Sequence, residues 1–306
     1  MSVVNGGAGS GRRELRVTGV GGAALIQDLG RLGWAHLGVS PSGATDRAAH
    51  RRANALVGNA AAAATVEVLL GGFSAVADAP LTLAVSGARC PIEVVEPTGR
   101  RPLCVESVFE VASGGRVELG PAASGLRCYL AVRGGLAVDP VLGSRSTDTL
   151  SGLGPAPMRP GDVVPVGAAD GPDVAGWPTV DLAVVPPPPE PSAVVSLPIL
   201  PGPRIDWLSG DARRELTQAL WRVSPDSDRI GLRFAGPPLA RARTEDPPSE
   251  GMVRGGVQLP ASGLPVVFLA DHPATGGYPI VAVLTEKAAD LAAQLRPGQP
   301  VRLTPA

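Results

Sequence analysis

Short apolar runs rich in valine recur along most of the chain, at 65–70, 81–86, 92–95, 103–111, 116–119 and 127–133. Each is closed off by Gly, Pro or Ser, and the spacing predicts antiparallel strands in a sandwich or barrel. Residues 15–19 alternate apolar and polar positions and predict an earlier strand. Residues 46–58 break the strand pattern. Asp46 as a cap or first-turn acid, a run of alanines and a closing Gly58-Asn59 predict a helix there. No further helix is predicted until 209–222, which argues against a doubly wound sheet. Strands are then expected at 196–200, 231–235, 256–259, 266–270, 280–284 and 300–303, with a helix near 286–295.

The composition changes over 168–192, where Pro186 to Pro189 is unbroken and Pro191 follows. Such a run favours an extended conformation and cannot join a central strand. It divides the chain into an expected N-terminal domain at 15–185, a linker at 186–192 and a C-terminal domain at 193–306. Residues 1–14 are Gly-rich and are read as a disordered tail without the apolar core of a secretory signal. A hydrophobic share of 44% supports real cores, and 40 Gly with 33 Pro point to many turns. The net charge of −1 offers no electrostatic footing for nucleic acid or an anionic membrane. No apolar run reaches the ~18 residues of a membrane span. Cys90, Cys104 and Cys128 form no metal or redox spacing and read as reduced thiols of a cytoplasmic protein. His36, His50 and His272 likewise suggest no metal site.

Lys287 is the single lysine among 27 basic residues. No Gly-Lys-[Ser/Thr] exists, so a Walker-type phosphate loop is excluded, as is an attachment site for biotin. Gly19-Val-Gly21-Gly-Ala-Ala24 imitates a dinucleotide fingerprint but lacks the helix and the later acid that the fingerprint requires. No Gly-x-Ser-x-Gly elbow is present.

Three polar segments rich in turn residues stand out against this background. Residues 25–59 gather Gln27, Asp28, Arg31, Ser42 and Asp46 around Gly30, Gly38, Pro41 and Gly43. A glycine ahead of a helix start offers backbone N–H groups to an anion or oxyanion, which singles out Gly43. Gly143-Ser-Arg-Ser-Thr-Asp148 sets Ser144, Arg145 and Thr147 in a polar cup for a carboxylate, phosphate or amide oxygen. Asp271-His-Pro-Ala-Thr-Gly-Gly-Tyr-Pro279 follows an apolar strand. It presents Asp271 as an acid or base, Thr275, Gly276 and Gly277 as a tight turn, and Tyr278 as a donor to an oxyanion. Gln258 is a polar residue among apolar strand neighbours. For each residue alone, a surface ion pair or a locked turn accounts equally well for the pattern.

These segments resemble the carboxyltransferase-domain family that includes allophanate hydrolase subunit 2 and the C subunit of 5-oxoprolinase. The resemblance rests on Gln27-Asp-Leu-Gly-Arg31, Gly38-Val-Ser-Pro-Ser-Gly43 with Asp46, Ala53-Asn-x-Leu-Val-Gly-Asn59 and Glu67. It continues through Tyr129-Leu-Ala-Val-x-Gly-Gly135, Gly143–Asp148, Ser227-Asp-Arg-Ile-Gly-Leu-Arg233, Gly255-x-Val-Gln258, Thr275–Pro279 and Gln294-Leu-Arg-Pro-Gly298. It implies a mainly β chain of two cyclophilin-like β-barrel domains with a cleft between them. It also implies a cytoplasmic subunit of an ATP-dependent amide hydrolase that opens 5-oxoproline to glutamate, inactive without its partners. Asp28, Arg31, Asp271 and Tyr278 are then the catalytic residues, and the other polar residues named above hold substrate. The ATP site would lie on, or be shared with, an allophanate hydrolase subunit 1-like (KipI-like) partner. Alternative implied roles are a KipA-like regulator that binds a KipI-like kinase inhibitor, and carboxyl transfer to a urea-like amide with biotin carried on another chain. Two departures bear on the substrate. Asp271-His272-Pro273 replaces an Asp-Arg or Asp-Gln pair, making a cation there pH-dependent, and Gly152-Leu-Gly-Pro-Ala lacks the usual Gly-Gly-x-Gly-Arg.

Overall fold

The computed structural model describes residues 12–178, 180–243 and 245–306. Strands β1 (Glu14–Val20) and β2 (Ala24–Gln27) lead into helix α1 (Arg47–Leu56). There follow β3 (Thr65–Leu69), β4 (Gly71–Ala77), β5 (Leu81–Arg89), β6 (Ile92–Glu96), β7 (Gly99–Leu103), β8 (Ser107–Val111), β9 (Arg116–Pro121), β10 (Ser124–Val132) and β11 (Val163–Pro165). The second half runs β12 (Val195–Pro201), α2 (Gly210–Gln218), β13 (Trp221–Val223), β14 (Gly231–Ala235), β15 (Glu250–Gly251), β16 (Gly256–Gln258) and β17 (Val266–Phe268). It ends with β18 (Thr275–Gly276), β19 (Ile280–Leu284), α3 (Glu286–Ala292) and β20 (Pro300–Pro305). The chain is mainly β, as expected, with short α-helices. No helix among the described residues is long and apolar enough to cross a membrane.

In the first half a six-stranded sheet, β11-β1-β4-β9-β6-β7, and a five-stranded sheet, β2-β3-β10-β5-β8, share one apolar cluster that includes Val17, Phe73, Ile92 and Leu130. The second half closes into a barrel, β12-β19-β16-β17-β14-β13-β20, around its own cluster with Leu197, Trp221, Phe234 and Val301. Side chains alternate across a strand, and β10 uses this on both faces. Cys128, Leu130 and Val132 join the cluster between the sheets, while Tyr129 and Ala131 pack with Ala49, Ala53 and Leu56 of α1. The Asp46 side chain caps α1 by accepting from the Ala49 N–H (2.9 Å).

Several elements differ from the sequence expectation. The run 103–111 is split because Glu106 takes a left-handed φ of 63°. The helix from 209 stops at Gln218, and Trp221 opens a strand. Strand β4 is hidden in the sequence by its Gly-Gly start and small side chains, although its burial alternates strictly. Strand β2, not a helix, follows Gly21-Gly22, as the missing fingerprint helix implied. Of the expected N-terminal tail, 1–11 lie outside the described residues. Arg13 donates to the Arg133 carbonyl (2.7 Å) and Glu14 begins β1. In the proline-rich segment, Asp181 O accepts from Val108 N (2.9 Å) and Ala183 N donates to Glu106 O (2.8 Å), which docks it on the edge of β8.

Candidate functional site

Arg229 is the hub between the halves. Asp228 Oδ1 accepts from the N–H groups of Ile230 (2.8 Å) and Gly231 (2.9 Å). This tightens the turn before β14 and aims Arg229 at the first half. Its Nε and Nη2 form a two-point pair with Asp271 (2.8 and 3.0 Å). Its Nη1 meets Glu67 and the Thr45 hydroxyl, and its Nη2 also donates to the Gly43 carbonyl (2.7 Å). A planar guanidinium with five donors suits such a junction.

Glu67 projects from the middle of β3, opposite Leu25 on one side and Tyr129 on the other. Its Oε2 accepts from Thr45 N (2.9 Å) and from the Tyr129 hydroxyl (2.8 Å), which in turn accepts from Asp46 N (2.7 Å). Gln294 closes the other side. Its Oε1 accepts from Leu126 N (2.8 Å) and Arg127 N (3.0 Å), and its Nε2 donates to Asp46 Oδ2 (2.7 Å). Burial opposes charge on Glu67, but Arg229 and Arg127 outweigh it and lower its pKa. Asp271 behaves the same way: burial raises it, and Arg229 more than offsets this. Burial likewise disfavours charge on Arg229, and the two carboxylates override it and raise its pKa. All three are therefore ionised at neutral pH.

Asp46 is tuned in the opposite sense. Burial pushes its carboxyl up from 3.8 to about 6 despite the hydrogen bonds from Ala49 and Gln294. The native state thus holds a proton that the unfolded chain releases between those values, and stability falls as pH rises across that window. Asp46→Asn keeps a good capping residue and removes this titration. Urea unfolding of both proteins at about pH 4 and pH 6 is expected to show a fall of about 2 kcal/mol for wild type beyond any in the variant.

The bends singled out in the sequence do meet. Ser42 Oγ lies 2.7 Å from Asp271 Oδ1 and 3.2 Å from Thr147 O, and Thr149 donates to Asp271 Oδ2 from its N–H (2.9 Å) and hydroxyl (2.7 Å). Their groups are largely spent on one another, however. Asp28 accepts from Gly30 N (2.7 Å), Ser144 Oγ (2.7 Å) and Ser146 Oγ on Oδ1 and from Arg145 N (2.6 Å) on Oδ2. It locks the turn, and Asp271 bolts the halves together. Arg145, expected to offer its fork to a ligand, donates Nε to Val138 O (2.8 Å) and lies 3.7 Å from Asp173. Arg31 is 2% exposed, donates to the Ser146 and Val141 carbonyls, and has no carboxylate within ion-pair distance among the described residues. Thr147 Oγ1 donates to Pro155 O (2.9 Å).

The last segment departs further from expectation. Thr275 and Gly276 are not a free turn but pair as β18 with β15, Gly276 opposite Glu250. Gly277 is exposed. Tyr278 is 39% exposed, and Gln258 Nε2 donates to its carbonyl (3.3 Å). Burial lowers the pKa of His272, so this ring is neutral at pH 7 and supplies no cation. Arg229, Glu67, Arg127, Tyr129 and Gln294 were not among the expected site residues. The available signal was a lone Glu67 inside the β-branched run Thr-Val-Glu-Val, since an acid there is buried only when paired.

Two cavities flank this network. One of about 760 Å³ touches Asp46, Gln294 and Asp290 and is walled by Pro186–Pro189. The other, of about 570 Å³, opens between the halves and reaches Glu67, Arg127 and Arg229 through a largely aliphatic wall.

The model of the family described as carboxyltransferase domain, subdomain A and B, matches residues 37–305. The chain is 32% identical over 300 residues to the C subunit of 5-oxoprolinase from Escherichia coli, covering 94% of this chain and 89% of that protein. It is 28% identical to the C subunit of 5-oxoprolinase from Haemophilus influenzae, over 91% and 87% of the two chains. It is 29% identical to urea amidolyase of Saccharomyces cerevisiae, but over only 16% of that protein's length. Among solved structures it is similar to TTHA0988 (TM-score 0.82, 33% identity, 96% of this chain and 55% of that one). It is also similar to Kluyveromyces lactis urea amidolyase (TM-score 0.86, 25% identity, 96% and 19%). The chain thus spans about half of the first of these solved chains and about a fifth of the second.

Proposed function

The chain belongs to the carboxyltransferase-domain family, subdomains A and B, and on that premise we propose that it is one subunit of a hydrolase that opens 5-oxoproline to glutamate. The match along almost the full length of the 5-oxoprolinase C subunit carries this reading, with 94% of this chain aligned to 89% of the Escherichia coli protein. The urea amidolyases align over 17% and 16% of their length, so carboxyl transfer to a urea-like amide is the second reading.

A lactam is a poor electrophile. In the proposed reaction ATP transfers its terminal phosphoryl group to the lactam oxygen and leaves as ADP, water adds to the activated carbon, and the adduct collapses with loss of phosphate and cleavage of the ring C–N bond, which frees the amino group of glutamate. Donors that hold the developing oxygen charge are the main catalytic need. Asp28 and Asp271 already accept several hydrogen bonds each. This favours a division of labour, in which this chain supplies a rigid substrate-holding face while a partner protein, resembling allophanate hydrolase subunit 1, completes the nucleotide site and the proton transfers. The chain's single lysine supports the same division.

The test is reconstitution. The purified chain and its partner subunits, assayed together with 5-oxoproline and ATP, are expected to release glutamate, and each alone is expected to release none. Tight association of the subunits without glutamate release would instead favour a regulatory role.

A further inference from the structure

We propose that the cavity between the halves is the binding site for a small monocarboxylate with a compact aliphatic ring, its carboxylate held by Arg127; this rests on the hydrolase reading, in which 5-oxoproline is such a molecule. Arg127 stands on β10 beside Tyr129, and its position is set from three sides. Its backbone N–H donates to Gln294 Oε1 (3.0 Å), its Nη1 donates to the Ala293 carbonyl, and its Nε lies 3.4 Å from Glu67 Oε1. Its Nη2 has no hydrogen-bond partner among the described residues, while the side chain lines the cavity. Arg229 also lines the cavity, but Asp271, Glu67, Thr45 and Gly43 occupy its donors. Arg127 is thus the guanidinium with donor capacity left, and it is already oriented.

The rest of the lining fixes the ligand class. Leu25, Leu69, Leu126, Leu232 and Leu295 contribute aliphatic surface, with no aromatic plate for stacking a base. A volume of about 570 Å³ accommodates a five-membered ring with a carboxylate. The Glu67 carboxylate nearby does not repel it, because Arg229, Arg127, Thr45 and Tyr129 neutralise and saturate both of its oxygens. Thr149 lines the same cavity and contributes a hydroxyl oxygen that can accept from a lactam N–H.

The experiment uses the assembled subunits. In Arg127→Gln, KM and the calorimetric Kd for 5-oxoproline are expected to rise about 10- to 100-fold, the loss of one charge-assisted contact. Competition by neutral 2-pyrrolidinone, which lacks the carboxylate, is expected to stay unchanged. Ala23→Trp places an indole at the cavity wall from a half-buried position and is expected to weaken both ligands, which covers the case in which Arg127→Gln does not fold. Equal weakening of both ligands in Arg127→Gln would overturn the carboxylate assignment. Glutamate release with an unchanged KM in Ala23→Trp would overturn the cavity and leave the hydrolase reading standing. A wild-type assembly that binds 5-oxoproline with this pattern but releases no glutamate would keep the site and sink the hydrolase.

Discussion

Arg229→Met is expected to cost about 3–5 kcal/mol of stability, because it removes the counter-charge that two buried carboxylates share. Glu67 and Asp271 are both buried and both lean on the same guanidinium. Methionine fills much of the space but donates nothing, so Glu67 keeps Arg127 as its one cation beside the Thr45 and Tyr129 donors, and Asp271 keeps only the neutral Ser42 and Thr149 donors. Urea unfolding at pH 7 measures the loss, and a change below about 1 kcal/mol would show that the junction is far more solvated than its burial implies. The pH dependence has a definite sign. Carboxylates with lowered native pKa values contribute stability that is present above their unfolded values and lost as pH falls through the native ones. The wild-type protein is therefore expected to lose stability on the acid side, below the ordinary carboxylate range, and Arg229→Met to lose much of that dependence. In the variant the two carboxyls no longer have their pKa values depressed by Arg229.

Gly43→Ala is expected to cost about 2–4 kcal/mol, combining backbone strain with a collision. Gly43 has φ +94°, and a Cβ there would sit 2.8 Å from Gly30 N and from Leu29 C. The reciprocal contact is as tight, since a Cβ on Gly30 would lie 2.5 Å from the Pro41 carbonyl oxygen. Two bends thus pass backbone against backbone, and side chains would part them. Separating them pulls Ser42 from Asp271 and the Gly43 carbonyl from Arg229. Gly143→Ala is the control. That glycine has φ +81° but open space where the Cβ would go, so only the strain of about 1–2 kcal/mol applies. Urea midpoints of the two variants separate the terms, and equal losses would refute the close-approach argument.

The fold was legible wherever local chemistry speaks. The Asp46 cap and the alanines after it marked α1, and Val-rich runs between Gly and Pro marked β3, β5, β6, β9, β10 and β19. The elements missed lack such signals. Strand β4 begins with two glycines, β2 carries Gln27 at its end, and Glu106 interrupts an apolar run through one left-handed residue. The polar bends were equally visible in the sequence, and the structure brings three of them together at Ser42, Thr147 and Asp271.

Which of those polar groups remain free was not legible. Asp28 has the composition of a catalytic acid and the contacts of a turn lock, because Ser144, Ser146 and Arg145 arrive from more than a hundred residues away. Arg229 and Glu67 are 162 positions apart, and nothing near either residue names the other as its partner. Residue type and short-range spacing set backbone angles, alternation and caps, and these suffice for a mainly β chain with turn-borne polar clusters. The partner of a buried charge is chosen by packing across the two halves. Electrostatic energy inside a protein depends on distance and burial, neither of which is written in the order of residues. So the chain's list of ionisable groups was known from its letters, while their division into spent bolts, a proton-holding cap and a guanidinium turned to the cavity emerged from the three-dimensional contacts.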